Sequence, residues 1–133
     1  MKLTEQQVEK SLKWWLDVLS NPKFDNGEKR GPSVMASMLA SMNTEPLTGE
    51  QKDAFSSVFR EHMSKENPFY LEKEDRHLPK NLSVDYGPNV LLSMLMQKAG
   101  ISESNAPWKT TVSFQDDGTV RVSYGYSAPW VEL

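Results

Sequence analysis

Apolar residues recur at helical spacing through most of the chain and at alternate positions in its last third, so helices are expected first and strands last. Thr4 and Gln7 have the spacing of a capping box, in which two side chains satisfy backbone N–H groups left free at a helix start. Val8, Leu12, Trp15, Leu16 and Leu19 follow as one stripe, Trp14 lies beside it and is expected to be half exposed, and Asn21-Pro22 stops the helix. Residues 21–32 hold two prolines, two glycines and an Asp-Asn-Gly turn signal, which make a loop. A second helix is expected from Ser33, with Met35, Met38, Leu39 and Met42 on one side. Thr48 and Gln51 form another capping box for a third helix, whose apolar face is Phe55, Val58, Phe59 and Met63 and whose end is Asn67-Pro68. Gly87-Pro88 leads into a fourth, with Pro88 at its first position. Leu91, Met94 and Leu95 face the core there, and Val90, Leu92 and Met96 broaden the face. Gly100 and Ile101 have the chemistry of a C-terminal cap with its hydrophobic contact.

Trp108, Thr110, Val112 and Phe114 alternate with polar residues, as do Val120, Val122, Tyr124 and Tyr126 after Asp116-Asp117-Gly118. This predicts a β-hairpin, and opposed residues must share a face. A two-residue Asp117-Gly118 turn would set Phe114 against Arg121. A three-residue loop pairs Phe114 with Val120, Val112 with Val122 and Trp108 with Tyr126, and puts Gly118 at the left-handed position. Residues 82–86 or 69–72 are candidates for a third strand, since two strands alone are marginal. The expected fold is a single compact α+β domain, residues 1–133: about four helices packed on a small antiparallel sheet that contains the C-terminal hairpin.

Composition narrows the function. The 133 residues carry 15 Lys+Arg against 18 Asp+Glu, a net charge of −3, which disfavours a specific nucleic-acid binder. Lys23, Lys29 and Arg30 cluster, but Asp25 and Glu28 sit among them. No stretch approaches the roughly 18 apolar residues of a membrane span. No basic segment precedes a short apolar run at Met1, so no secretory signal is expected. With no cysteine there is no disulfide framework, thiol nucleophile or cysteine zinc site, in keeping with a reducing interior. Gly-rich phosphate loops and Gly-x-Ser-x-Gly elbows are absent.

His62 and Glu66 are one helical turn apart, but two ligands fall short of the three or four that zinc takes, and a partly buried structural histidine is expected. His77, within Glu-Lys-Glu-Asp-Arg-His, is expected to be solvated. A carboxylate hydrolase would draw on Asp25, Glu28 and Asp85. The Phe24-Asp25-Asn26-Gly27 and Asp85-Tyr86-Gly87-Pro88 segments read as turns, or as a rim that binds a polar ligand or partner. Trp130, in an irregular tail with Tyr126, suits either a contact hot spot or closure of the core.

Trp14-Trp15 with Asn21-Pro22-Lys23-Phe24-Asp25-Asn26-Gly27, and Pro107-Trp108-Lys109-Thr110-Thr111 with Gly125-Tyr126-Ser127-Ala128-Pro129, resemble small uncharacterised proteins encoded in phage and prophage genomes. The resemblance touches both ends of the chain and leaves its middle uncovered. It implies a virus or mobile-element origin and, with the missing catalytic motifs, a non-enzymatic accessory protein of the bacterial host's cytoplasm; no cofactor or metal is expected. Such a protein would bind and inhibit a host protein such as a defence complex, in the manner of an anti-CRISPR. The candidate contacts are Trp14, Phe24, Asp25, Asn26, Asp85, Tyr86, Tyr126 and Trp130. The alternative is a sponge for a nucleotide-derived signal, stacked on Tyr86, Tyr126 or Trp130 with Lys23, Arg30 or Lys109 at its phosphates. A hydrolase using Asp25 and Asp85 is the third.

Overall fold

The computed structural model describes residues 2–20, 46–107, 109–125 and 128–133. Among them are three α-helices, α1 (Glu5–Ser20), α2 (Gly49–Met63) and α3 (Val90–Lys98), and six strands. Strands β1 (Tyr70–Leu71) and β2 (Arg76–His77) form a two-stranded ribbon. Strands β3 (Asn81–Val84), β4 (Thr110–Phe114), β5 (Val120–Tyr124) and β6 (Val131–Glu132) form an antiparallel sheet in that order. The fold is α+β. The expected second helix, from Ser33 through Met42, lies outside the described residues. No helix among the described residues is long and apolar enough to cross a membrane.

Both capping boxes form. The Thr4 hydroxyl accepts from the Gln7 N–H at 3.1 Å while the Gln7 side chain accepts from the Thr4 N–H at 2.9 Å, and Thr48 and Gln51 repeat the pattern. Helix α2 stops at Met63, before the predicted Asn67-Pro68, because the chain must turn back into the ribbon. Ser64 closes its last turn on Arg60 and His62 carbonyls. Pro88 does not occupy the first position of α3. That helix is capped by Asn89, whose side chain accepts from the Leu92 N–H at 3.0 Å and donates to the Asn81 carbonyl. At its other end Ile101 N–H bonds Met96 O and Gly100 N–H bonds Gln97 O, with Gly100 at φ 71°: the Schellman arrangement, sealed by buried Ile101 and Met96.

The hairpin adopts the three-residue-loop register. Phe114 pairs with Val120 and Val112 with Val122, and Gly118 sits at φ 90°. The Trp108–Tyr126 pair lies outside the described residues. Strand β3 supplies the third strand, Val84 opposing Thr110, while the 70–71 segment pairs with β2 instead.

Leu82, Val84, Val112, Phe114, Val120 and Val122 line the covered side of the sheet, with α1 against β5 and α3 against β3. Trp15, Phe55, Phe59, Leu92 and Leu95 complete a continuous core. Trp14 is half-buried as expected and packs edge-on against Trp15 (5.0 Å) and Tyr124 (5.5 Å). Val90 departs from expectation: at the mouth of α3, beyond the core stripe, it is 43 % exposed. Buried Gln7 also donates to the carbonyls of Gln115 (2.8 Å) and Thr119 (3.1 Å), clamping the hairpin turn to the start of α1.

Candidate functional site

The other side of the four-stranded sheet is polar. Its register places Ser83, Thr111 and Ser123 in one row and Asn81, Ser113, Arg121 and Glu132 in the next. Pleating makes this unavoidable: side chains alternate, and the intervening residues are the buried valines, leucine and phenylalanine. At one end of the hydroxyl row an open recess of about 350 Å³ is lined by Ser83, Asp85, Lys109, Thr111 and Ser123.

Asp85 and Tyr86 stand at this end because the chain reverses sharply between β3 and α3. The Asp85 N–H bonds Gly87 O at 3.1 Å, Val84 bridges to Pro88, and the Asn89 N–H bonds Ser83 O at 2.8 Å. The tip of this turn is Tyr86, 85 % exposed. Lys109 completes the group from the start of β4. Its backbone lies between the turn and β5, donating to Asp85 O and accepting from the Gly125 N–H at 3.1 Å, with φ at 51°, a conformation that a non-glycine residue adopts only when its neighbours hold it there. Its ammonium group pairs with the Asp85 carboxylate and lies 4.4 Å from the centre of the Tyr86 ring. The lysine is three-quarters buried, so the exposed ring has an ordered cation behind it.

Trp130, 55 % exposed, directly precedes β6. The β5–β6 register, continued by one pair, sets it beside Ser123, whose hydroxyl donates to Ala128 O at 2.8 Å and steadies the approach to β6. The hydroxyl row Ser83, Thr111 and Ser123 therefore ends beside Trp130, and Tyr86 stands at the tip of the turn that follows β3.

Of the residues expected to make contacts, Asp85 and Tyr86 come together, and Trp130 belongs to the same face. Trp14 is held against the core. Phe24, Asp25, Asn26 and Tyr126 lie outside the described residues, as do Lys23 and Arg30. Lys109, expected as a cation for a ligand's phosphates, is engaged by Asp85 and Tyr86. Ser83, Thr111 and Ser123 are not among the expected contacts, although alternation and the hairpin register put the last two opposite one another.

His62 is a structural group: 9 % exposed, with Nε2 donating to Pro68 O at 2.7 Å. Burial holds it below its ordinary value, and the charges of Lys65 and Lys98 act in the same direction. Among the described residues no three His, Cys, Asp or Glu side chains gather in a way that could hold a metal ion. His77 is exposed and rests against the Tyr70 ring at 4.8 Å. No family model matches the chain, and neither a curated protein nor a solved structure shows significant similarity to it.

Proposed function

We propose that this chain is a non-enzymatic binding protein, of phage or mobile-element origin, that inhibits a host protein by covering part of its surface. The face bearing Tyr86, Lys109 and Trp130 would make the contact. The observation that carries the reading is the exposure of two large aromatics, Tyr86 at the tip of the turn after β3 and Trp130 beside β6, the first with a cation against its ring. Binding energy at protein interfaces concentrates in such side chains, and an aromatic fixed before contact loses little freedom on docking. The hydroxyl row would supply hydrogen bonds within the contact without adding charge that must be desolvated.

A nucleotide sponge needs a cation for the phosphates. Here the lysine nearest the aromatics is engaged by Asp85, so that reading draws less support from this face. For a carboxylate hydrolase, Asp85 is held by the same lysine.

The test is protection of a targeted phage in bacteria with an active CRISPR system or another nucleic-acid-cleaving defence. The wild-type protein should restore plaque formation, and Tyr86→Ala with Trp130→Ala should abolish the rescue while the protein remains folded. Rescue undiminished in the double variant would refute the assigned face. Rescue absent with the wild type against every defence tried would refute the inhibitory role.

A further inference from the structure

The two edges of the four-stranded sheet are finished differently. Backbone groups along an antiparallel strand turn alternately to either neighbour, and three bonds fix the phase here. They are Phe114 N–H to Lys80 O at 3.1 Å, Gln115 N–H to Thr119 O at 3.0 Å and Leu133 N–H to Val120 O at 2.9 Å. On β3, Asn81 and Ser83 therefore turn their backbone groups away from β4, to the outside of the sheet. That edge is sealed. Asn89 donates its N–H to Ser83 O at 2.8 Å and its side-chain amide to Asn81 O at 3.2 Å, and Pro79 O takes the Asn81 N–H at 2.8 Å.

On β6, Val131 and Leu133 turn their backbone groups to β5, so Glu132 and, one alternation back, Trp130 turn theirs outward. No hydrogen bond among the described residues reaches them there. Val131, opposite Val122 on the core side, is 55 % exposed at this open edge. An open edge with an exposed apolar side chain is a template for another strand, and the pattern of β6 fits a copy of itself. Two copies paired antiparallel about a two-fold axis at Val131 set Trp130 of each against Glu132 of the other, so that the outward backbone groups meet in hydrogen-bonded pairs. The two Val131 side chains then meet at the non-hydrogen-bonded position, where side chains approach most closely. An axis at Glu132 would set two carboxylates face to face. An axis at Trp130 would draw on Ala128, whose N–H is already turned inward to Gly125 O at 3.3 Å. Because β3 is sealed, pairing through β6 closes at two copies instead of growing into a fibre.

We propose that this chain forms a two-fold dimer through β6, its two four-stranded sheets joined edge to edge into one. The pairing uses backbone groups and Val131, and is independent of the role proposed for Tyr86 and Trp130.

The chain has no cysteine, so one introduced at a time reports the register. Val131→Cys, at the axis, should give a disulfide-linked dimer under mild oxidation, since non-hydrogen-bonded antiparallel partners stand about 4.5 Å apart at Cα, within the reach of a disulfide. Glu132→Cys should stay unlinked, because its two copies lie two residues out of step, beyond a disulfide's reach of about 7 Å. Sedimentation velocity of the wild-type protein should show the dimer. Val131→Lys sets two ammonium groups together at the axis, and Glu132→Pro removes an outward N–H while leaving the bonds to β5 in place. Each should weaken dimerisation about tenfold or more, with circular dichroism checking that the variant is folded. Tyr86→Ala, which removes part of the proposed contact with a host protein, should dimerise as the wild type does. A wild-type monomer at high micromolar concentration, a dimer that survives both Val131→Lys and Glu132→Pro, or linkage through Glu132→Cys in preference to Val131→Cys overturns the proposal.

Discussion

Two hairpins among the described residues, β4–β5 and β1–β2, have opposite character. β4 and β5 pair over five residues, and their core-side members Val112, Phe114, Val120 and Val122 are buried. β1 and β2 pair over two residues, with no fully buried side chain. The long hairpin is held from outside itself, by the helices on its apolar side and by Gln7 at its turn. The ribbon is held by itself: the Tyr70 hydroxyl donates to Asp75, the Tyr70 ring rests on His77, and a short 3₁₀ turn, Glu72–Glu74, links the strands. A strand pair that buries one face takes its register from the core, whereas one with no fully buried side chain leans on local hydrogen bonds.

The largest expected effect breaks the long hairpin at its core. Phe114→Ala should cost about 3–5 kcal/mol in denaturant unfolding, because a large buried ring leaves a cavity that packed neighbours fill poorly. Gln7→Leu should cost about 1–3 kcal/mol by the same measurement, since it keeps the volume but strips a donor from two carbonyls of the turn and an acceptor from the helix start.

A third, pH-dependent effect concerns the segment that leads into the ribbon. His62 is held below its usual 6.5 in the folded state, so the unfolded chain binds the extra proton first as pH falls. Its contribution to stability is present above pH 6.5 and is lost as pH drops from there toward the folded value. His62→Gln, which retains a donor for Pro68 O, should flatten that part of the stability–pH curve. An unchanged slope would mean the histidine is not the titrating group. The smallest effect is at the ribbon itself. Tyr70→Phe removes the hydroxyl that bonds Asp75, and should speed amide exchange in residues 70–77 while barely moving the global Tm.

The same contrast explains what could be read in advance. The capping boxes, the Schellman end of α3, the hairpin register and the half-exposure of Trp14 all followed from spacing, because each is a local rule or a face that must be buried. Pro88 falls before the helix because Asn89 is the N-cap: its amide accepts from Leu92 N–H three residues on, a local rule, and donates to the Asn81 carbonyl eight residues back. Val90 is expected to broaden the core face of α3 with Leu92 and Met96, yet its position at the first turn carries it past the packed stripe. The candidate site was legible in part. Asp85, Tyr86 and Trp130 stood out as aromatic and turn residues. The pairing of Lys109 with Asp85 joins residues 24 positions apart and emerges only when β3 and β4 are laid side by side.

The comparison extends to the aromatic residues. Trp15 is wholly buried, while Trp130 and Tyr86 are exposed. Native mass spectrometry of the protein, purified gently from bacterial cells, tests the proposed role of that exposure most directly. The account predicts a companion protein at fixed stoichiometry that is lost with Tyr86→Ala and Trp130→Ala. A companion retained unchanged in that double variant, or a small-molecule adduct in place of a protein, would contradict it.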